Sequence, residues 1–117
     1  MSKASRFEDL LTWQNARKLS GELYGVTKSW RDFGLRDQIR RAVVSISSNI
    51  AEGFDRGSSA DFVRLLYIAR GSASEVRSQL YLALDLGYLS KDQFEKLYDQ
   101  VDYVVRQLTL FIQKTKK

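Results

Sequence analysis

The chain has 117 residues, enough for one domain, and 44% of them are apolar, enough to bury a single core. Lys and Arg number 19 against 14 Asp and Glu, a net charge of +5 that permits an anionic partner without demanding one. Cys and His are both absent, which excludes disulfides, thiolate metal sites and Cys nucleophiles and removes the commonest general base and metal ligand.

Pro is absent too, so helices can run unbroken. No run of eighteen apolar residues is present to span a membrane, and Met1 to Asp9 lacks the apolar stretch of a secretory signal. The expected address is the cytoplasm. No linker, repeat or low-complexity tract interrupts the chain, which reads as one all-α domain over 1–117.

A first helix is predicted over about 11–30, where Ala16, Leu19, Leu23, Val26 and Trp30 recur at steps of 3 and 4. A second, about 35–52, carries Ile39, Val43, Ile46 and Ile50 on one face. The third, about 59–86, starts near Ser58 or Ser59 as N-cap and repeats Phe62, Leu66, Ala69, Ala73, Val76, Leu80 and Ala83. The fourth, about 90–115, opens on Ser90 with Gln93 three residues on, a capping box. Its stripe is Phe94, Leu97, Val101, Val104, Leu108 and Phe111. Gly34, Gly53, Gly57 and Gly87 fall where one pattern stops and the next begins. Such heptad-like stripes joined by short loops predict an up-down-up-down antiparallel four-helix bundle. An all-helical hairpin completed only in an oligomer is the alternative.

The second helix is unusual opposite its isoleucines. Arg41, Ser45, Ser48 and Glu52 recur there at steps of 4, 3 and 4, with Asn49 alongside. Ser and Asn are mediocre interior helix formers, costing roughly 0.5 kcal/mol each against Ala, whereas a solvated face more cheaply holds Glu, Lys or Gln. Small polar side chains let another backbone approach, and the third helix has a similar series in Gly71, Ser72, Ser74 and Ser78. Three readings stand: a tight crossing within the chain, a subunit interface, or a ligand or nucleic-acid surface.

Basic residues gather as Arg36, Arg40 and Arg41 on the second helix, and as Arg70 and Arg77, one heptad apart and so on one face. Arg17, Lys18 and the closing Lys114, Lys116 and Lys117 add to them, although the last three also suit a helix C-terminus. Trp13, Trp30, Tyr24, Tyr67, Tyr81 and Tyr103 could stack on bases, but stripe positions favour packing. The carboxylates Glu52 with Asp55, or Glu75 near Arg77, come without a nucleophile or a phosphate-cradling loop. The expectation is no catalytic residue, no metal and no cofactor.

Several words of the chain go together: Phe7–Leu10 followed by Trp13–Ala16, Gly34–Ala42, Ser45–Gly53, Ile68–Ser72 with Glu75 and Gln79, and Leu86–Leu89. In this arrangement the sequence resembles the four-helix-bundle family of 23S rRNA intervening-sequence proteins over nearly its whole length. The chain departs from it in lacking the proline that relatives often carry before or within the second helix, which implies a straighter helix here. Members of that family occur as reading frames within insertions of bacterial 23S rRNA genes and also stand alone. The resemblance implies a homopentameric ring with a central channel, and no established enzymatic activity. It also implies kinship with the accessory variability determinant of diversity-generating retroelements, which binds nucleic acid and partners a reverse transcriptase. Gln38, Arg41, Ser45, Ser48, Asn49, Glu52 and Gly53 match the family motif. On that reading Gln38, Ser45, Ser48, Asn49, Glu52 and Gly53 are candidate subunit-interface residues. Arg36, Arg40, Arg41, Arg70 and Arg77 are candidate contacts to RNA or DNA.

Overall fold

The computed structural model describes residues 4–116. Among them a 3-10 turn, Phe7–Asp9, precedes four α-helices: α1 (Leu11–Thr27), α2 (Phe33–Asp55), α3 (Ser59–Asp85) and α4 (Lys91–Thr115). The helices form a bundle of 43 × 21 × 19 Å. Its long dimension is that of α3, whose 27 residues span about 40 Å at ~1.5 Å per residue. Each of α1 and α3 packs against both α2 and α4. Among the described residues no helix is long and apolar enough to cross a membrane.

The predicted stripes are the core. Ile39, Val43, Ile46 and Ile50 of α2 are fully buried against Leu19 and Leu23 of α1, Leu66, Ala73, Val76 and Leu80 of α3, and Val101 and Leu108 of α4. Burial of each such large side chain contributes ~1.5–3 kcal/mol. Small Ala residues at 16, 69, 73 and 83 alternate with these and let the helices close up. Phe62, Phe94 and Phe111 sit half-buried toward the ends, with Phe62 and Phe111 edge to face at 5.1 Å.

Helix ends follow capping chemistry wherever the sequence supplies it. Ser58 accepts from the Asp61 amide at 3.3 Å and opens α3. Ser90 and Gln93 form the reciprocal capping box of α4, at 3.1 and 2.9 Å. Gly57 and Gly87 take positive φ values of 78° and 80° where α2 and α3 end, a conformation that costs other residues more.

Three boundaries differ from the pattern-based expectation. α1 stops at Thr27, not near residue 30, because Thr27 rather than Val26 takes the core position. The Thr27 hydroxyl donates to the Leu23 carbonyl at 2.7 Å, and the chain then turns to bury Trp30 outside the helix. α2 begins at Phe33, since Asp32 is its N-cap, with Oδ1 accepting from the Leu35 amide at 3.0 Å. Gly34 therefore lies inside the first turn and does not punctuate. Gly53 is interior as well, since α2 continues to Asp55. A Cβ on Gly53 would stand 2.9 Å from Phe62 Cδ1 and 3.1 Å from Leu65 Cβ, so the glycine is there to admit α3.

Candidate functional site

The arginines of α2 lie on different flanks of that helix. Arg40 turns toward α1: its guanidinium sits 4.4 Å over the Tyr24 ring, Nε donates to Thr27 Oγ1 at 2.8 Å, and a terminal nitrogen donates to the Tyr24 carbonyl at 3.0 Å. It clamps the last turn of α1 to α2. Arg36 covers the Phe33 ring at 4.5 Å and donates to Asp37 at 3.2 Å. Arg41 projects from the outer ridge between two depressions. One, about 390 Å³, is lined by Tyr24, Asp37, Arg40, Arg41 and Val44. The other, about 250 Å³, lies between α2 and α3 and is lined by Gln38, Arg41, Ala42, Ser45, Ser72 and Glu75.

Arg70 and Arg77 share a face, as their heptad spacing requires, but it is the face toward α4, apart from the α2 arginines. Arg70 donates to Thr109 Oγ1 at 3.3 Å and lies 4.9 Å over Tyr67. Arg77 pairs with Asp102 at 3.3 Å, and Arg106 pairs with the other oxygen of that carboxylate, also at 3.3 Å. Lys116 reaches the same Tyr67, its ammonium 3.2 Å from the hydroxyl. Lys117 lies outside the described residues.

Cations over aromatic rings recur around the bundle. Six such pairs occur among the described residues: Arg17 on Trp13, Arg36 on Phe33, Arg40 on Tyr24, Arg70 and Lys116 on Tyr67, and Arg106 on Tyr103. Three of the six, on Phe33, Tyr24 and Tyr67, bring the guanidinium within 5 Å of the ring centroid. Arg106 was absent from the sequence-based candidates, yet a signal for it exists. Phe33-x-x-Arg36, Tyr67-x-x-Arg70 and Tyr103-x-x-Arg106 all place an arginine three residues after an aromatic, where helical side chains meet. The pairing of Arg40 with Tyr24 joins two helices and has no such local signature.

The six candidate interface residues divide evenly. Ser45, Asn49 and Gly53 serve the crossing of α2 with α3. Ser45 and Ser72 hydroxyls are 2.9 Å apart, and Asn49 Nδ2 donates to both the carbonyl and the hydroxyl of Ser45, at 2.8 and 2.9 Å. Gln38, Ser48 and Glu52 point outward, Glu52 being paired with Arg56 at 2.6 Å. The tight-crossing reading thus accounts for one half of the set, and the other half remains on the surface.

A family model described as 23S rRNA-intervening sequence protein matches residues 8–110, from the 3-10 turn through most of α4. The chain belongs to the 23S rRNA-intervening sequence protein family. Among solved structures it is similar to a protein of unknown function from the S23 ribosomal protein family of Bacteroides thetaiotaomicron VPI-5482. That similarity has 24% identity and a TM-score of 0.83, and it covers 87% of this chain and 98% of the other. At that identity the likeness establishes the shared four-helix fold. No curated protein matches the chain. Family membership thus bears out the resemblance carried by the words of α2 and α3, and the α2–α3 pocket is built from those same words.

Proposed function

We propose that this intervening-sequence family member is a non-enzymatic, homo-oligomeric bundle, resident in the bacterial cytoplasm, that binds RNA or DNA through basic surface residues. The recurrence of cation–aromatic pairs carries the reading. An arginine laid on a ring is held in place, and the guanidinium N–H groups not bonded within the bundle can meet phosphate. The half-exposed rings of Tyr24, Phe33, Tyr67 and Tyr103 offer stacking area beside it. Arg41 and the Tyr24 groove on α2, and Arg70, Arg106 and Lys116 on the α3–α4 side, are the two surfaces concerned.

Short loops and the pairings Ser45–Ser72 and Gly53–Leu65 support an up-down-up-down order of helices. A pentameric ring is the assembly implied by family resemblance. Outward-facing Ser48, the exposed Val44, Ile68 and Leu82, and Gly71 with nothing within 4 Å of its missing Cβ suit a neighbouring subunit. Five copies would carry 5 × 5 = +25 in formal charge, concentrating the field felt by a polyanion.

A titration of structured and single-stranded RNA by fluorescence anisotropy at rising salt tests the nucleic-acid reading. Log affinity should fall linearly with log salt, with a slope of about −0.7 per phosphate neutralised on single strands. Absence of binding at about 50 mM salt would end it. Light scattering tests the assembly. Ser48→Leu overpacks an outward contact at a cost of ~1–3 kcal/mol. It should reduce the mass of the particle while leaving the melting curve of the bundle in place, and an unchanged mass removes Ser48 from the interface.

A second reading has one observation in its favour: four of the five candidate arginines already have partners inside the bundle. On that reading the chain is a scaffold or accessory subunit, for example of a reverse transcriptase, without nucleic-acid binding of its own. Neutralising Arg41, Arg106 and Lys116 together would then leave its interactions unaltered.

A further inference from the structure

One surface depression is lined by two opposite charges that do not pair with each other. Arg41 on α2 and Glu75 on α3 line the same pocket of about 250 Å³. Among the described residues neither belongs to an ion pair, and they do not close on each other. The floor between them is the Ser45–Ser72 hydroxyl pair, already satisfied by mutual bonding and by Asn49. Glu75 is held from behind: Nε2 of Gln79, one turn further along α3, donates to Glu75 Oε2 at 3.3 Å. Gln79 is only 8% exposed, and its Oε1 is buried without a partner among the described residues. The Gln79 amide thus holds the exposed Glu75 carboxylate in place from one turn along α3.

We propose that this pocket reads a guanine base through its Watson–Crick and Hoogsteen edges; the idea rests on the nucleic-acid reading above. The volume falls just below the ~300–1,000 Å³ of pockets for drug-sized ligands, which suits one planar base. The polar lining fits the same group. Guanine presents two adjacent donors, N1–H and the N2 amine, followed by the acceptors O6 and N7. A fixed carboxylate on one wall takes the donors, and a guanidinium on the opposite wall takes the acceptors, the pairing Arg makes with guanine elsewhere. Adenine would set its N1 lone pair against the Glu75 carboxylate, and uracil offers one donor between two acceptors. The pocket thus discriminates by charge and hydrogen-bond order, without any aromatic wall.

The decisive measurement is anisotropy with labelled single-stranded oligouridines that carry one central G, A or inosine, using the full chain at about 50 mM salt, with 5′-GMP and 5′-AMP as competitors. The G strand should bind about tenfold tighter than the A strand, as expected for one bidentate base contact, and inosine, which lacks the N2 amine, should fall between. Glu75→Gln should bring the G and A strands to within about twofold of each other, with helicity by circular dichroism retained. Displacement by GMP and not by AMP would identify the base alone as sufficient. A preserved G preference without competition by GMP would identify the strand as its source. Equal affinities for G, A and U strands would overturn the base pocket and leave nucleic-acid binding standing. Competition-grade GMP binding with no strand bound would keep the pocket and overturn the nucleic-acid reading, and silence from every ligand would overturn both.

Discussion

The seam between α2 and α3 and the seam between α1 and α4 solve the same problem by opposite means. Along α2–α3 the side chains are small: Gly53 admits Phe62 and Leu65, and Ser45 meets Ser72 hydroxyl to hydroxyl. Along α1–α4 the helices are bridged by long polar side chains. Asn15 donates to Gln107 at 3.1 Å, Gln100 donates to Glu22 at 2.8 Å, and Lys96 approaches the other Glu22 oxygen at 3.7 Å. A close seam depends on shape and tolerates no added atoms, whereas a bridged seam depends on matched donors and acceptors and tolerates movement.

The sharpest way to break this contrast is to add bulk to the close seam. Gly53→Val should cost about 1–3 kcal/mol in urea melts, since the Phe62 ring and backbone and the Leu65 Cβ leave no room. Gly25→Ala, also inside a helix but with nothing within 4 Å, should instead gain up to about 1 kcal/mol. Equal signs for the two would show that α3 gives way readily. For the bridged seam, Glu22→Ala leaves the Gln100 amide without its acceptor and should cost about 1–2 kcal/mol by the same measurement. A neutral result would mean that water replaces the lost acceptor.

The smallest expected effect is a pH dependence at the end of the bundle. The Tyr88 hydroxyl donates to Asp32 Oδ2 at 3.1 Å, and this bond, with some burial, raises the tyrosine above its ordinary value of 10. The neutral form is the one the fold prefers. Its contribution is therefore complete below pH 10 and is lost as pH rises through the raised folded value. Thermal melts of the parent and Tyr88→Phe should differ by a constant below pH 10 and converge above it. A gap that stays constant into the alkaline range would remove the hydrogen bond from the account.

Much of this architecture was legible before any coordinates, and the reasons differ by element. The starts of α3 and α4 could be read because Ser58 and Ser90 announce themselves by local chemistry with partners three residues away. The end of α1 could not, since Thr27 earns its core position through Arg40, thirteen residues on. Gly53 looked like punctuation because a stop signal and a close helix contact use the same residue. At the candidate site, the face shared by Arg70 and Arg77 followed from spacing, but their partners on α4 did not. Nor could the pocket be read, for it takes one wall from α2 and the other from α3.

Asp32 links events that the chain keeps 56 residues apart. Its Oδ1 holds the Leu35 amide at the start of α2, while Oδ2 holds Tyr88 in the turn between α3 and α4, with the Trp30 and Tyr88 rings 5.4 Å apart beside it. Fraying of the first turn of α2 must therefore loosen the α3–α4 turn as well. In hydrogen exchange, the Leu35 and Tyr88 amides should open together as one local unfolding unit. The opposite end of the rod, around Gly57 and Ser58, is joined by the edge-to-face rings of Phe54, Phe62 and Phe111 and not by such a carboxylate, and should exchange independently of them.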